Sequence, residues 1–512
     1  SVTIDASALN DGDSCVLRLI NADGTYVDHS LLGLTGASVN FSGFSPGEPM
    51  TTPRRGLSLV MGEATRAARF LYAIGGDDGS EAGAYATSES ASVDLFGAPS
   101  AWMAQPIGLP GPLTRAQALR LDRFIYLIGG HDSTSATSDA WRAEILDPRD
   151  APVVEDLTAR RGMGSGLNPG IWYYRISAVM DAADPRNPGG ETLPSDPLVI
   201  NLPSTVPDTV LITLYWSEVV GATAYRIYRS PDPDLSAGSE RLLAEIPATS
   251  AREFEDDGSA PGAELPLPLG AHGEWAALPP LNTARAGLGL GHAVDPADPS
   301  LHHLYAIGGE DDGGALLSSY EYLTITITSP KDHALGAGWT LGAIDIGAAR
   351  TDLGVYSVDH DTAGAVAMGE TFIYAVAGAD AGGGVSDQGA ALVVAGGELE
   401  NPSAPAATSF LALGNAPARA GFAHIAGSHA LYMIAGGPSA TNNSNRAEIC
   451  APGVPGCAGG PPEIVNWNNE GGARPNPGRY LLGSVRDGSF VFIAGGVDTA
   501  GTVVDTTEQS VL

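Results

Sequence analysis

The most regular feature of this sequence is an apolar run that ends at a pair of small residues, usually glycines, before a polar turn. Each run predicts a buried β-strand, and the glycine pair predicts a turn with unusual backbone angles. The pattern occurs six times, at Phe70–Asp78, Arg123–Ala136, His303–Asp311, Phe372–Asp380, Leu431–Ser439 and Phe490–Asp498. The chain therefore repeats one β-unit.

The flanking positions extend the unit to four strands. A second strand-like run follows the turn, as at Ser318–Thr328, and an arginine-bearing segment precedes the unit. An aromatic residue marks a further short strand in four copies, at Trp102, Trp275, Trp339 and Trp467. Four-stranded units that recur at this spacing are typical of β-propeller blades. With its double glycine, preceding arginine and following tryptophan, the unit resembles the kelch repeat, and the resemblance covers most of the chain.

One interval is too long for a single blade. Gly130 and Gly309 lie about 180 residues apart, whereas other neighbouring copies lie about 54 to 69 residues apart. Two degenerate blades, giving eight in all, are one explanation, but the runs Gly170–Ala182 and Val210–Ser230 contain no glycine pair. The run from Trp216 instead resembles a fibronectin type III domain, with Trp216, Tyr225 and Ile227 in its core and its strands circularly permuted.

We therefore predict an all-β fold, a six-bladed kelch-like β-propeller with an inserted β-sandwich domain. The insert should lie between the third and fourth strands of the second blade. The N-terminal segment should supply the strand that closes the ring. The predicted divisions are an unassigned strand segment at 1–38, the closing strand and first two blades at 39–150, the insert at 151–270, and the remaining blades at 271–512.

Composition and charge exclude some functions. The 512 residues carry a net charge of −33 with Lys331 as the single lysine, which argues against a nucleic-acid partner. No apolar run reaches the length of a membrane helix, so no direct membrane insertion is predicted. Cys450 and Cys457 bracket a Gly/Pro loop and are a candidate disulfide, whereas Cys15 has no local partner. We expect a processed chain, with any signal peptide removed, outside the cell or on its surface.

The repeated arginines are the first candidate binding residues. The blade arrangement predicts that they lie around the axis, where guanidinium groups could bind a carboxylate sugar. The alternative, which we favour, is structural pairing with the acidic turns of neighbouring blades. The six residues are Arg55, Arg115, Arg285, Arg350, Arg419 and Arg479.

The acidic turns are candidate calcium ligands. Their clustered carboxylates suit calcium but lack the spacing of a helical calcium loop, and a solvated acidic rim is the favoured alternative. No other cofactor is predicted. The candidate ligands are Asp77, Asp78, Glu310, Asp311 and Asp312.

These features favour a non-enzymatic binding or scaffold protein that recognises a protein or a glycan through propeller loops and the insert. Two alternatives remain. One is a sugar-acting propeller enzyme similar to the sialic-acid mutarotases of the kelch class, and the other is a structural subunit of an extracellular assembly. We find no nucleophile–base pair, but a channel site draws single residues from several blades. A channel lined by small side chains and paired arginines would favour the binding role.

Overall fold

The computed structural model describes eleven stretches of the chain. Within them, the regular structure is β-strand apart from two short 3₁₀ helices, Glu81–Gly83 and Pro148–Asp150. The all-β class predicted from the sequence is confirmed. No helix in these stretches has the length and apolarity needed to cross a membrane. The described residues are 43–65, 67–204, 209–360, 370–402, 411–413, 416–427, 430–437, 443–449, 463–464, 467–469 and 474–512.

The strands fall into three groups along the described chain. The first group is β1 (Ser45–Pro46), β2 (Ser58–Glu63), β3 (Arg69–Ile74), β4 (Ser88–Val93), β5 (Met103–Ala104), β6 (Gln117–Leu121), β7 (Phe124–Ile128) and β8 (Ala140–Glu144). The second group is β9 (Val154–Arg161), β10 (Gly170–Met180), β11 (Leu198–Leu202), β12 (Val210–Trp216), β13 (Ala222–Arg229), β14 (Arg241–Pro247) and β15 (Glu253–Asp256).

The third group follows the insert and completes the chain. It is β16 (Ala276–Ala277), β17 (Gly289–Val294), β18 (Leu301–Ile307), β19 (Tyr320–Ser329), β20 (Asp332–Leu335), β21 (Thr340–Leu341), β22 (Gly354–His360), β23 (Glu370–Val376), β24 (Gly389–Ala395), β25 (Glu398–Glu400), β26 (Leu411–Leu413), β27 (Ala423–Ala426), β28 (Ala430–Ile434), β29 (Ser444–Glu448), β30 (Asn468–Asn469), β31 (Arg479–Tyr480), β32 (Gly483–Asp487), β33 (Phe490–Ala494), β34 (Val497–Asp498) and β35 (Thr507–Val511).

Six antiparallel sheets among the described strands share one plan, in which strands that follow one another in the chain lie side by side. Their first strands contact one another in a closed circle, β2–β6–β17–β22–β27–β32 and back to β2. We interpret this circle as a propeller and each sheet as a blade. The sheets are β2-β3-β4-β5, β6-β7-β8-β16, β17-β18-β19-β20 with β21 also on β19, β22-β23-β24-β25 with β26 also on β24, β27-β28-β29-β30, and β32-β33-β35-β1.

The circle is closed by the N-terminal strand and held by apolar packing between blades. Strand β1 pairs with β35, with Ser45 opposite Gln509. Each pair of neighbouring blades shares a buried apolar cluster. In one of them, Tyr72 of the first blade and Ile125 of the second are both fully buried. Burial of apolar area between the sheets therefore joins the blades.

A ring of backbone hydrogen bonds surrounds the axis. Six residues, one before each first strand, each donate an N–H to the carbonyl oxygen of the corresponding residue of a neighbouring blade. All six have left-handed backbone angles, with φ between 52° and 62°, although only three are glycine. The bonds are Arg115→Gly56 (2.7 Å), Gly287→Arg115 (2.9 Å), Asp352→Gly287 (2.7 Å), Gly421→Asp352 (2.9 Å), Leu481→Gly421 (2.6 Å) and Gly56→Leu481 (2.8 Å).

The paired glycines are explained by a second contact between blades. The N–H of Gly76 donates to the carbonyl of Leu113 in the next blade at 2.9 Å, and Gly130 donates to Arg285 at 2.8 Å. A Cβ on Gly75 would lie 2.3 Å from the oxygen of Leu113, and one on Gly129 would lie 2.4 Å from that of Arg285. A side chain would therefore push neighbouring blades apart at these two positions.

The insert is a two-sheet sandwich with its own core. Strands β11-β10-β13-β14 form one sheet and β9-β12-β15 the other. Trp216, Tyr225 and Ile227 are buried between them at 1, 2 and 0% exposure. The chain leaves the second blade after β8 and returns at β16, which completes that sheet. At this junction Leu146 N–H donates to Ala271 O at 3.2 Å, so the two crossings lie side by side.

Deletion of residues 151–270, bridged by a short Gly/Ser linker, should leave a folded propeller. The crossings are adjacent, and the insert's apolar core lies within the insert itself. We expect one cooperative thermal transition and a β-type circular dichroism spectrum. Loss of cooperative unfolding would show that the propeller depends on the insert.

Candidate functional site

Four of the six predicted arginines occupy one equivalent, buried position before a first strand. At this position the backbone carbonyl accepts a hydrogen bond from the N–H of a glycine in the turn of the preceding blade. Arg285 is typical, because its Nη1 donates to Gly308 O and Ser319 O, both at 2.9 Å. The guanidinium of Arg285 therefore joins the glycine turn to the start of the third strand of the same blade. The four residues are Arg285, Arg350, Arg419 and Arg479, and Arg54 is their counterpart in the first blade.

The second residue of the third strand supplies the acceptor for most of these arginines. Glu321 lies 3.2 Å from Arg285 Nη2, and the remaining pairs are Arg54–Glu89 (3.0 Å), Arg479–Glu508 (2.9 Å) and Arg419–Asn445 (2.5 Å). For these arginines the pairing lies within one blade, whereas the sequence favoured pairing with the acidic turns of neighbouring blades.

Two blades lack the acid at this strand position. The second blade has Leu113 in place of arginine and Trp141 in place of the acid. The fourth blade keeps Arg350 but has Ala390 at the strand position, and among the described residues Arg350 Nε has no hydrogen-bond partner. Burial lowers the pKa of Arg350 to about 10. Each acid at this position therefore has a buried arginine beside it, whereas Arg350 is held by backbone carbonyls without an acid.

Arg115 differs from the other arginines because it belongs to the axial ring. Its Nε and Nη2 each lie 3.1 Å from an oxygen of Asp352, another ring residue. Its Nη1 donates to Glu81 Oε1 at 2.6 Å and also to Glu310. Its Nη2 donates to Thr351 Oγ1 at 2.9 Å. Arg115 is the one arginine among the six ring residues, and carboxylates from three blades bind its guanidinium.

The charge balance at the axis keeps Arg115 protonated. Burial alone would lower the pKa of Arg115, but the charges of Asp352 and Glu310 outweigh it and raise the pKa. His131 Nε2 also lies 3.4 Å from Glu81 Oε2. The protonated guanidinium of Arg115 thus binds three carboxylates, those of Glu81, Glu310 and Asp352.

The spacing of the six arginines suggested that they are equivalent, but the structure shows that they are not. Arg55 lies one residue after the buried position, and its Nε contacts Asp77 Oδ1 at 2.6 Å. Arg115 lies two residues after the buried position, which Leu113 fills in that blade. Sequence reasoning missed Arg54, Glu81 and Asp352. The buried arginine is followed three positions later by an apolar residue, as Arg54 is by Leu57. This signal in the sequence would have identified Arg54, rather than Arg55, as the buried residue.

The predicted calcium residues lie on separate turns. Asp77 is buried against Arg55 and Thr114, and Glu310 contacts Arg115. Asp311 Oδ1 accepts the N–H groups of Gly313 and Ala315 at 2.9 and 2.8 Å, which stabilises its own turn. The side chains of Asp78 and Asp312 are exposed.

Within the described stretches, no group of three or more His, Cys, Asp or Glu residues is arranged to hold a metal ion. Calcium binding therefore stays a prediction. The segment 1–38, Cys15 and the candidate disulfide Cys450–Cys457 lie outside the described residues.

The sheet plan defines an all-β, propeller-like protein. No family model matches the chain. No curated protein matches its sequence. Among solved structures, the chain is similar to one titled "Structure of YjhT", with 11% sequence identity and a TM-score of 0.41. The alignment covers 90% of this chain and 96% of the other.

A double-mutant cycle on Arg285 and Glu321 should show strong coupling. Arg285→Leu leaves a buried carboxylate without its counter-charge and should cost about 3–5 kcal/mol of unfolding free energy. Adding Glu321→Leu should cost much less than the sum of the two single changes. Urea denaturation measures each value. The exposed pair Arg160–Glu255 is the control and should show little coupling. Additive costs for Arg285 and Glu321 would contradict the pairing.

Replacing Arg115 by glycine should destabilise the axis through the loss of its charge. Glycine suits the left-handed backbone, so the change mainly removes the guanidinium, and about 1–3 kcal/mol of unfolding free energy should be lost at pH 7. The loss should shrink when Glu81→Gln is added, because fewer carboxylates then lie together without a counter-charge. Leu481→Gly, at an equivalent ring position, is the control and should show no such coupling to Glu81→Gln in urea denaturation. Additive costs for Arg115 and Glu81 would refute the electrostatic role of Arg115.

Proposed function

We propose that this chain is a non-enzymatic binding protein that acts outside the cell or on its surface. A six-bladed, kelch-like propeller serves as a rigid platform, and a fibronectin type III-like insert extends the surface available to a protein or glycan partner. Loops on a rigid scaffold are a common place for such contacts. The alternation of sheets in the insert supports the fibronectin-like assignment, because β12 and β13 follow one another but lie in opposite sheets.

The pairing of Arg115 carries this proposal. Its guanidinium is 10% exposed and bound by Glu81, Glu310 and Asp352. A carboxylate sugar entering the axis would have to displace acids that already hold the cation and would meet their negative charge. An axial enzyme of the mutarotase type would instead need a guanidinium free to bind its substrate. The outer surface and the insert are therefore better placed to bind a ligand.

The composition supports an extracellular setting and limits the class of partner. A net charge of −33 repels nucleic acids and favours partners with basic surfaces. The same charge keeps the protein soluble in a salty medium. A structural role in an extracellular assembly remains the second form of this proposal, in which the partner is another subunit.

A binding screen on the full chain tests the proposal. A glycan array and a peptide library, each with and without calcium, should yield ligands that bind equally well to the Arg115→Gly variant. The matched assay is the anomer interconversion of free sialic acid, followed by NMR, which should proceed at the uncatalysed rate. Catalysis that Arg115→Gly abolishes would replace the binding proposal with the sugar-acting enzyme.

A further inference from the structure

A cleft lies where the insert meets the second blade. Its volume is ≈ 340 Å³, which is large enough for one long side chain of a partner. The wall on the propeller side carries the acids Glu144, Asp147 and Asp150. The wall on the insert side mixes apolar residues, such as Met180 and Val220, with polar and charged ones.

Glu144 is the unusual group in this cleft. The residue is only 3% exposed, and within the described part of the chain its Oε1 has no hydrogen-bond partner. The neighbouring acids are paired, because Lys331 Nζ lies 3.1 Å from Asp147 and 2.6 Å from Asp150. A buried carboxyl oxygen without a partner is costly, and each such group in a folded protein calls for an explanation.

We propose that the cleft binds a lysine or arginine side chain of a protein partner, with Glu144 as its counter-charge. This inference rests on the binding function proposed above and narrows it to one site and one ligand class. The cation would donate a hydrogen bond to Glu144 Oε1, which accepts none from the described residues. Lys331, the single lysine of the chain, shows that the adjoining acids already bind an ammonium group.

The rest of the lining suits a basic side chain better than a sugar. Val153 and Val220, at 63 and 86% exposure, offer apolar surface to the aliphatic stem. None of the described lining residues is aromatic, so a sugar ring finds no flat face for stacking. Arg186 also lines the cleft, and its positive charge acts on Glu144. It can donate to a backbone carbonyl of the same partner residue.

The charge state of Glu144 gives the site a pH dependence. The pKa of Glu144 is raised to about 7, mainly by burial and also by the charge of Asp150, although the charges of Arg186, Lys331 and Arg123 oppose the shift. A cation binds the ionised carboxylate, so binding should release a proton near neutral pH and weaken as the pH falls through 7. From pH 8 to pH 6 the ionised fraction falls about tenfold, and the affinity should fall by a similar factor.

The probe is a lysine with both backbone ends blocked, Nα-acetyl-lysine N-methylamide, titrated calorimetrically into the full chain. We expect binding at pH 8, about tenfold weaker binding at pH 6, and proton release seen as a dependence of the heat on the buffer. The norleucine analogue, which lacks the charge, should not bind. Glu144→Gln should weaken binding at least tenfold and remove the pH dependence, whereas Glu253→Gln, an exposed acid elsewhere on the insert, should change neither.

A second variant tests the site if Glu144→Gln does not fold. Val220→Arg places a fixed cation at the exposed rim, so the fold should persist while the probe is repelled. Val199→Arg, also exposed on the insert, is its matched control. Equal binding of lysine and norleucine probes, or no effect of either cleft variant, would overturn the proposal. If array glycans or acidic peptides bind while basic probes do not, the proposed binding function is supported, but the assignment of the cleft to a basic side chain is wrong.

Discussion

The ring of six backbone hydrogen bonds around the axis is the constraint on which the rest of the structure depends. It requires a left-handed conformation at one residue of each blade, and three of these residues, Arg115, Asp352 and Leu481, are not glycine. Such angles cost about 1–3 kcal/mol each and persist where the surrounding structure enforces them. Because Arg115 and Asp352 both belong to the ring, their side chains meet at the axis, and Glu81 and Glu310 complete the cluster. The geometry that closes the propeller thus also neutralises its central cation.

The same crowding explains the repeated sequence signals. The turn of one blade donates an N–H to the residue at the buried arginine position of the next, which leaves no room for a Cβ at Gly75 or Gly129. The arginine then returns hydrogen bonds to the turn and third strand of its own blade, as Arg285 does. The glycine pair and the arginine therefore both contribute to the contact between neighbouring blades. This structural role explains why they recur without a ligand.

Much of the fold could be predicted from the sequence, because glycine pairs and apolar periodicity act locally. The all-β class followed from them, and so did the buried positions of Trp216, Tyr225 and Ile227. The site residues were harder to predict, because the sequence does not show which arginine of each blade occupies the buried position. Arg54 and Arg55 are adjacent, and Arg115 lies two residues after Leu113, which fills the buried position in that blade. Six arginines therefore looked equivalent in the sequence, although only four of them occupy the buried position. Glu144 gave no signal, since its lack of a partner depends on how the insert sits against the second blade.

The central claim is that ligands bind where the insert meets the propeller, while the axis is occupied by the protein's own charges. Hydrogen–deuterium exchange, measured by mass spectrometry with and without a ligand from the binding screen, tests this claim most directly. The account predicts slower exchange in peptides that cover residues 144–153 and 217–221, and unchanged exchange in those that cover 113–117 and 350–354. Protection confined to the axial peptides would contradict it.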